Sequence, residues 1–200
     1  MTPRPLILAS GSASRRRMLA AAGLEFEVSP ARVDEAAIKA SLVAEDTHPR
    51  DIADALAEAK ARKVGLKHPE ALVLGSDQIL ARGREVISKS ETVDEARDVL
   101  RDLRGQTHHL YAAAVLYRDG EPIWRFVGAV RMSMRDFSDA FLENYLEANW
   151  PHVSGAVGCY HLEEAGVRLF RAVQGDHFHV QGLPLIELMA YLADAGELRA

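Results

Sequence analysis

Leu8-Ala-Ser10-Gly11-Ser12-Ala13-Ser14-Arg15-Arg16-Arg17 passes from apolar to small and hydroxylic to basic without an intervening linker. Pro5 to Ser10 has the length and boundaries of a buried strand, and from Arg16 to Ala22 the pattern is helical until Gly23 stops it. A strand that turns directly into a helix presents free backbone N–H groups, hydroxyls and the positive end of a helix dipole to an anion. That geometry suits phosphate. Three arginines at a helix start oppose the macrodipole, so a bound anion is one account of them; a solvated basic turn with serine caps is the other. Neither G-x-x-x-x-G-K-[ST] nor G-x-G-x-x-G occurs, which removes a Walker loop and a dinucleotide fingerprint.

Working outward, the same alternation continues. Glu25 to Ser29 reads as a strand, Glu35 to Val43 as a short helix, and Asp51 to Leu66 as a firmer one, with Ala53, Leu56, Ala57, Lys60 and Val64 on one face. Ala71 to Asp77 reads as a buried strand that continues through Ile79 to Ile87 as a hairpin around Arg82-Gly83. Thr92 with Glu95 three residues on predicts a capped helix to Leu103. His108 to Tyr117 and Pro122 to Arg135 read as two long strands joined at Asp119-Gly120, a hairpin signal. Ser138 opens a helix that Pro151 closes, Ser154 to Ala172 reads as short strands with glycines, and Pro184 begins a final helix over Leu183 to Ala195. Helices alternating with strands around a central antiparallel pair predict an α/β fold with a mixed sheet. With 48% apolar and 26% charged residues, no internal repeat and no linker, the 200 residues are expected to form a single domain over 1–200.

Charge sets bounds on partners. Lys and Arg total 24 against 29 Asp and Glu, a net of −5, so bulk electrostatics argue against nucleic acid and a membrane surface as partners. Any anion must be met locally. The one cysteine, Cys159, rules out an internal disulfide, and the apolar run near the N-terminus is too short for a signal core or a membrane span. These are the features expected of a soluble cytoplasmic protein.

Three further features could carry chemistry. Asp77, in Gly75-Ser76-Asp77-Gln78 at the end of an apolar strand, stands where α/β sheets collect ligands and could hold a divalent cation or orient a water; an Asx turn is the bland alternative. Lys60 interrupts an apolar stripe, so its ammonium either snorkels to solvent or points into a cleft. Lys89 and the pair Asp34-Glu35 are open to both readings on their own. Cys159-Tyr-His161 and His177-Phe-His179 could align four zinc ligands on two strand faces, against the plainer reading of a buried thiol and scattered histidines.

In order and spacing these segments resemble the Maf (septum-formation-inhibitor-like) nucleoside triphosphate pyrophosphatase family over roughly Leu6 to Leu192. The shared signature is Ser10-Gly-Ser12-Ala-Ser-Arg15-Arg16-Arg-Met-Leu19, then Asp34-Glu35, Lys60-Ala61, Gly75-Ser76-Asp77-Gln78, Lys89, Gly105-Gln-Thr-His108, Gly175-Asp176 and Gly182-Leu-Pro-Leu185. The resemblance implies an elongated mixed β-sheet flanked by helices, with two lobes around a nucleotide cleft. It implies hydrolysis of a nucleoside triphosphate between the α- and β-phosphates with Mg2+ or Mn2+, and a homodimer. Carried over, Ser10, Arg15, Arg16, Lys60 and Lys89 would contact the triphosphate, Asp77 would be the catalytic carboxylate, and Glu35 with Asp77 would hold the metal.

Base specificity would lie at Ser14, Gln78 and Glu163. Gln78 and Glu163 resemble the subgroup associated with 7-methyl-GTP rather than the dTTP/UTP subgroup, and a carboxylate can accept two hydrogen bonds from guanine. That subgroup carries tryptophan where this chain has Ser14. Ser88 and Ser90 around Lys89, and Glu164 in place of glycine, also depart from the family pattern. The expectation is a guanine-type or broad preference in nucleotide-pool housecleaning. A regulator of septum formation that binds nucleotide without turnover, and an enzyme removing ITP or XTP, are the competing readings.

Overall fold

Leu6, Ile7 and Leu8 are all buried, as a strand covered on both faces must be. They form β1 (Leu6–Leu8) in the computed structural model, which describes residues 4–198. Ser12 then caps α1 (Ala13–Ala21), its hydroxyl accepting from the Arg15 N–H, so the helix begins ahead of the expected start at Arg16. The chain continues through β2 (Glu27–Val28), α2 (Glu35–Ala44), α3 (Pro49–Gly65), β3 (Leu72–Arg82), β4 (Glu85–Ile87) and α4 (Val93–Leu103). It goes on through β5 (Thr107–Arg118), β6 (Glu121–Met134), α5 (Asp139–Asn149), β7 (Phe170–Gln174), α6 (His177–Val180) and α7 (Leu185–Asp194). Thr92 and Glu95 do form a cap: the Thr92 hydroxyl accepts from the Glu95 N–H at 3.2 Å, and the Glu95 carboxylate accepts from the Glu91 N–H at 2.8 Å.

Seven strands make one mixed sheet in the order β2-β1-β3-β5-β6-β7, with β4 paired to β3. β1 runs parallel to β2 and β3, and every other pairing is antiparallel. The β5–β6 turn takes positive φ at both Asp119 (53°) and Gly120 (83°), the twist that suits a two-residue hairpin.

Strand alternation sorts the core into faces. Leu6, Leu8, Leu72, Leu74 and Leu116 pack against Met18 and Leu19 of α1 and Leu188 and Leu192 of α7. On the opposite face Ile7, Val73, Ala113 and Val115 meet Ile52, Leu56 and Ala57 of α3. Farther along the sheet, Leu80, Leu110, Val130 and Met132 pack with Leu100 of α4 and Leu142 and Leu146 of α5. The α/β class, the mixed sheet and the flanking helices are those expected from the sequence.

One region differs. Apart from β7, which begins at Phe170, the stretch expected as short strands holds two single 3-10 turns, His152–Gly155 and Ala165–Leu169. Gly158 at φ 77° and Cys159 at φ 57° sit in the left-handed region, which breaks a strand. His177-Phe-His179 is likewise helical, because the Asp176 carboxylate accepts from the N–H groups of Phe178 and His179 and caps α6.

His108, on β5, is fully buried, with Nε2 2.8 Å from the Tyr160 hydroxyl. Burial pushes its pKa down to about 4 from 6.5, with a smaller push from His109. The unfolded chain therefore takes up this proton between pH 6.5 and 4 while the folded protein does not. His108 thus favours the fold fully above pH 6.5, and about 3 kcal/mol of that is lost as pH falls through 4. Urea midpoints of wild type and His108→Gln should converge as pH drops from 7 to 4; a gap independent of pH would refute this.

Candidate active site

Gly75 brings the site together. A Cβ there would lie 2.1 Å from the Ala57 carbonyl oxygen and 2.5 Å from the Ala61 nitrogen, so the backbone of α3 rests directly on β3. Lys60 stands between those two alanines and Asp77 two residues beyond Gly75, on the same side of the strand. The result is a buried pair, Lys60 Nζ to Asp77 Oδ1 at 2.5 Å, with each residue no more than 7% exposed. Glu35, the first residue of α2, closes on the same ammonium at 3.0 Å. Of the two sequence readings of Lys60, the cleft-facing one holds.

Arg15 forms the second half of the site. It is buried at the start of α1, with Nε donating to the Gly182 carbonyl at 2.8 Å and one terminal nitrogen to Ser10 Oγ at 3.0 Å. Burial lowers its pKa, while Asp77 and Glu35 pull it back up, so the field of those carboxylates reaches this guanidinium. Ser10 Oγ also accepts from the Ser12 N–H at 3.3 Å, which holds the turn that faces the cleft.

The segment from His179 to Gly182 is clamped from β3. Ser76 Oγ donates to the Gly182 carbonyl at 3.1 Å, and the Gln78 amide donates to the carbonyls of His179 and Val180 at 3.0 and 2.9 Å. Gly182 can serve because its φ of 92° suits only glycine well. Gln78 lines the cleft, but its amide nitrogen is occupied with this bracing.

These groups surround a cavity of about 860 Å3, within the usual range for small-molecule sites. Ser10, Ser14, Arg15, Glu35, Lys60, Asp77, Gln78, Lys89 and Glu163 all line it, although they are scattered along the chain. Lys89 is exposed on its wall. Arg16 is exposed as well and lies outside the lining; its neighbour Arg17 lines the cleft instead and pairs with Glu163 at 3.1 Å while donating to Ser14 Oγ at 3.3 Å.

Sequence reasoning missed Arg17 as the partner of Glu163. It also missed Lys39, a cleft residue of α2 that donates to Ser88 Oγ at 2.8 Å. No local pattern marks either, since both act through residues distant in sequence. The Gly182-Leu-Pro-Leu185 run did carry a signal, but the role of its carbonyl as acceptor for Arg15 and Ser76 needs the tertiary structure. The four-ligand zinc reading fails: Cys159 donates to Ser90 Oγ at 3.3 Å, and His179 pairs with Glu187 at 3.1 Å from a helix rather than a strand face.

Residues 5–195 match a family model described as "Maf-like protein". A nucleoside triphosphate pyrophosphatase of Ruegeria pomeroyi is 52% identical over 192 residues, covering 96% of each chain. Proteins of the same name from Roseobacter denitrificans and Caulobacter vibrioides are 51% and 49% identical, covering 98% and 99% of each chain. Among the described residues no helix is long and apolar enough to cross a membrane.

Proposed function

The chain belongs to the Maf family, and on that premise we propose that it hydrolyses a nucleoside triphosphate to the monophosphate and pyrophosphate. The observation that carries this reading is the buried Asp77–Lys60 pair, joined from the exposed rim by Glu35, facing Arg15 and Ser10 across one cavity. Phosphate oxygens find cations and a helix start there, and the reacting water finds a carboxylate. Binding alone would not call for a carboxylate beside the phosphates.

The donors fit a divalent cation. Two carboxylates approach one ammonium, leaving carboxylate oxygens that would suit a hard ion of the Mg2+ or Mn2+ type. Asp77 and Glu35 would hold it, and when bound it supplies charge neutralisation at the phosphates and lowers the pKa of a coordinated water. Asp77 accepts the proton of the attacking water; the water oxygen bonds to the α-phosphorus, and the bond to the bridging oxygen breaks to release pyrophosphate. Lys60, anchored by Asp77 and Glu35, and Arg15, anchored by Gly182 and Ser10, meet the charge of the leaving group without having to reorganise. Lys89 adds an exposed cation at the wall, and Arg16 has no part in this arrangement.

For the base, a guanine-type preference is supported by Glu163 on the cleft wall, oriented by Arg17. Its carboxylate can accept from the N1–H and the exocyclic amine of guanine, donors that uracil and thymine lack as a pair. Whether 7-methylation adds to this is a property of the same pocket, where Ser14 offers no aromatic face to a cationic base. A single domain acting as a cytoplasmic homodimer in nucleotide-pool housecleaning completes the reading.

Pyrophosphate release across GTP, 7-methyl-GTP, dTTP, UTP, ATP and ITP, with Mg2+ and with Mn2+, tests it. Turnover led by the guanine nucleotides is expected, and Glu163→Gln should shrink the GTP/UTP ratio of kcat/KM about tenfold. Preference for dTTP and UTP would overturn the base assignment. Tight binding with no pyrophosphate release would favour the nucleotide-binding regulator.

A further inference from the structure

A second polar cluster lies on the wall of the same cleft and takes no part in the chemistry above. His152 opens the first 3-10 turn, His161 follows the left-handed pair Gly158 and Cys159, and Glu164 precedes the second 3-10 turn. Glu164 Oε2 lies 2.8 Å from His152 Nε2 and 3.5 Å from His161 Nδ1. The two imidazoles meet edge to face with centroids 4.9 Å apart, and one donor atom from each of the three residues falls within 4.8 Å of the others.

Two observations set the cluster apart from a chance surface pairing. His161 Nδ1 is buried and makes no well-formed hydrogen bond, its approach to Glu164 Oε2 at 3.5 Å being an ion-pair distance, so the nitrogen keeps capacity for a closer partner. The backbone that carries it is also held in place. The Glu164 N–H donates to the His161 carbonyl at 3.2 Å, and Gly166 packs so closely that a Cβ there would come within 2.4 Å of the same oxygen. His161 and Glu164 are therefore presented by a fixed turn, and the exposed His152 ring already rests on them through its contact with Glu164.

We propose that His152, His161 and Glu164 form a site for a borderline transition-metal ion such as Zn2+, Co2+ or Ni2+, distinct from the carboxylate centre at Asp77. Two imidazole nitrogens and one carboxylate oxygen match the ligand preference of these ions and not that of Mg2+, which favours oxygen throughout. Tetrahedral coordination at about 2.0–2.1 Å separates donor atoms by about 3.3 Å, and the separations from Glu164, 2.8 and 3.5 Å, bracket that value. Three protein ligands leave a position for water or for a donor atom of a ligand in the cleft, which all three residues line. Glu163 adjoins Glu164, so an ion here becomes part of the wall proposed to meet the base.

The test is a Co2+ titration of the untagged full-length protein, followed by visible absorption, with Zn2+ and Mg2+ as competitors. One equivalent giving the d–d bands of four- or five-coordinate cobalt is expected, displaced by Zn2+ and indifferent to excess Mg2+. His161→Ala and Glu164→Gln should each weaken Co2+ binding at least tenfold, and Glu35→Gln should leave the bands in place. His152→Ala, at an exposed position, supplies the same comparison if His161→Ala fails to fold. Bands of full strength in the His152 and Glu164 variants, bands lost in Glu35→Gln, or no ion bound by wild type at micromolar Co2+ would each overturn the proposal.

Discussion

Asp77→Asn lowers pyrophosphate release by about a thousandfold while the protein stays folded; this is the expected result of removing a general base from a site that otherwise keeps its shape. The substitution is nearly isosteric, and the amide oxygen can still accept from Lys60 Nζ, so the 2.5 Å contact loses its charge rather than its geometry. Glu35 continues to accompany the ammonium at 3.0 Å, which limits the stability cost of a half-paired buried cation. KM should move less than kcat, because Arg15, Lys60 and Ser10 remain to hold phosphate, while the metal concentration needed for half-maximal rate should rise with the loss of an anionic ligand. Steady-state kinetics on the preferred nucleotide, with thermal unfolding as the folding check, measures both parts. A variant that keeps more than a tenth of the wild-type kcat would remove Asp77 from the mechanism.

Gly75→Ala is expected to be the most damaging single methyl group in the protein. Its Cβ would collide with backbone atoms of α3 at 2.1 and 2.5 Å, and backbone in the middle of a packed helix cannot swing away as a side chain tip can. α3 would have to lift from β3, opening the face built from Ile52, Leu56, Ala57 and Val73 and pulling Lys60 from Asp77. A loss of about 3 kcal/mol or more follows, roughly 10 °C in Tm for a chain of this size. Gly83→Ala is the control: that glycine also carries no side chain, but its surroundings are open and only its φ of 61° is strained, a penalty of about 1 kcal/mol. Equal losses in the two variants would show that the close approach at Gly75 is not what matters.

Much of the architecture was legible because its signals are local. Thr92 and Ser138 each cap the helix that follows with a side-chain oxygen, and the hairpin turn at Asp119-Gly120 requires the positive φ that those residues tolerate. The reading of Ser154 to Ala172 as short strands fails up to Phe170, because glycine spacing resembles strand punctuation. Left-handed backbone at Gly158 and Cys159, between its two 3-10 turns, interrupts any strand there, and nothing in the residue types announces that conformation for a cysteine.

The candidate site divides along the same line. Lys60 is conspicuous because an ammonium on an apolar stripe needs a reason; Asp77 stands out as a carboxylate closing an apolar run, although β3 continues to Arg82 and places it in mid-strand, not at the strand end expected from the sequence. Arg17 with Glu163, Lys39 with Ser88, and Arg15 with the Gly182 carbonyl involve residues as far as 167 positions apart. Periodicity reports which face of its own element a residue occupies and is silent about which other element lies opposite. The residues alone therefore determined the alternating helices and strands, the caps and turns, and the candidate cations and carboxylates. Tertiary packing decided that these cations and carboxylates share one cavity, that Arg17 and not Arg16 turns into it, and that two histidines and a glutamate gather on its wall. That decision rests on close packing between elements distant in the chain, at Gly75 above all, where the absence of a single Cβ lets a helix settle on a strand.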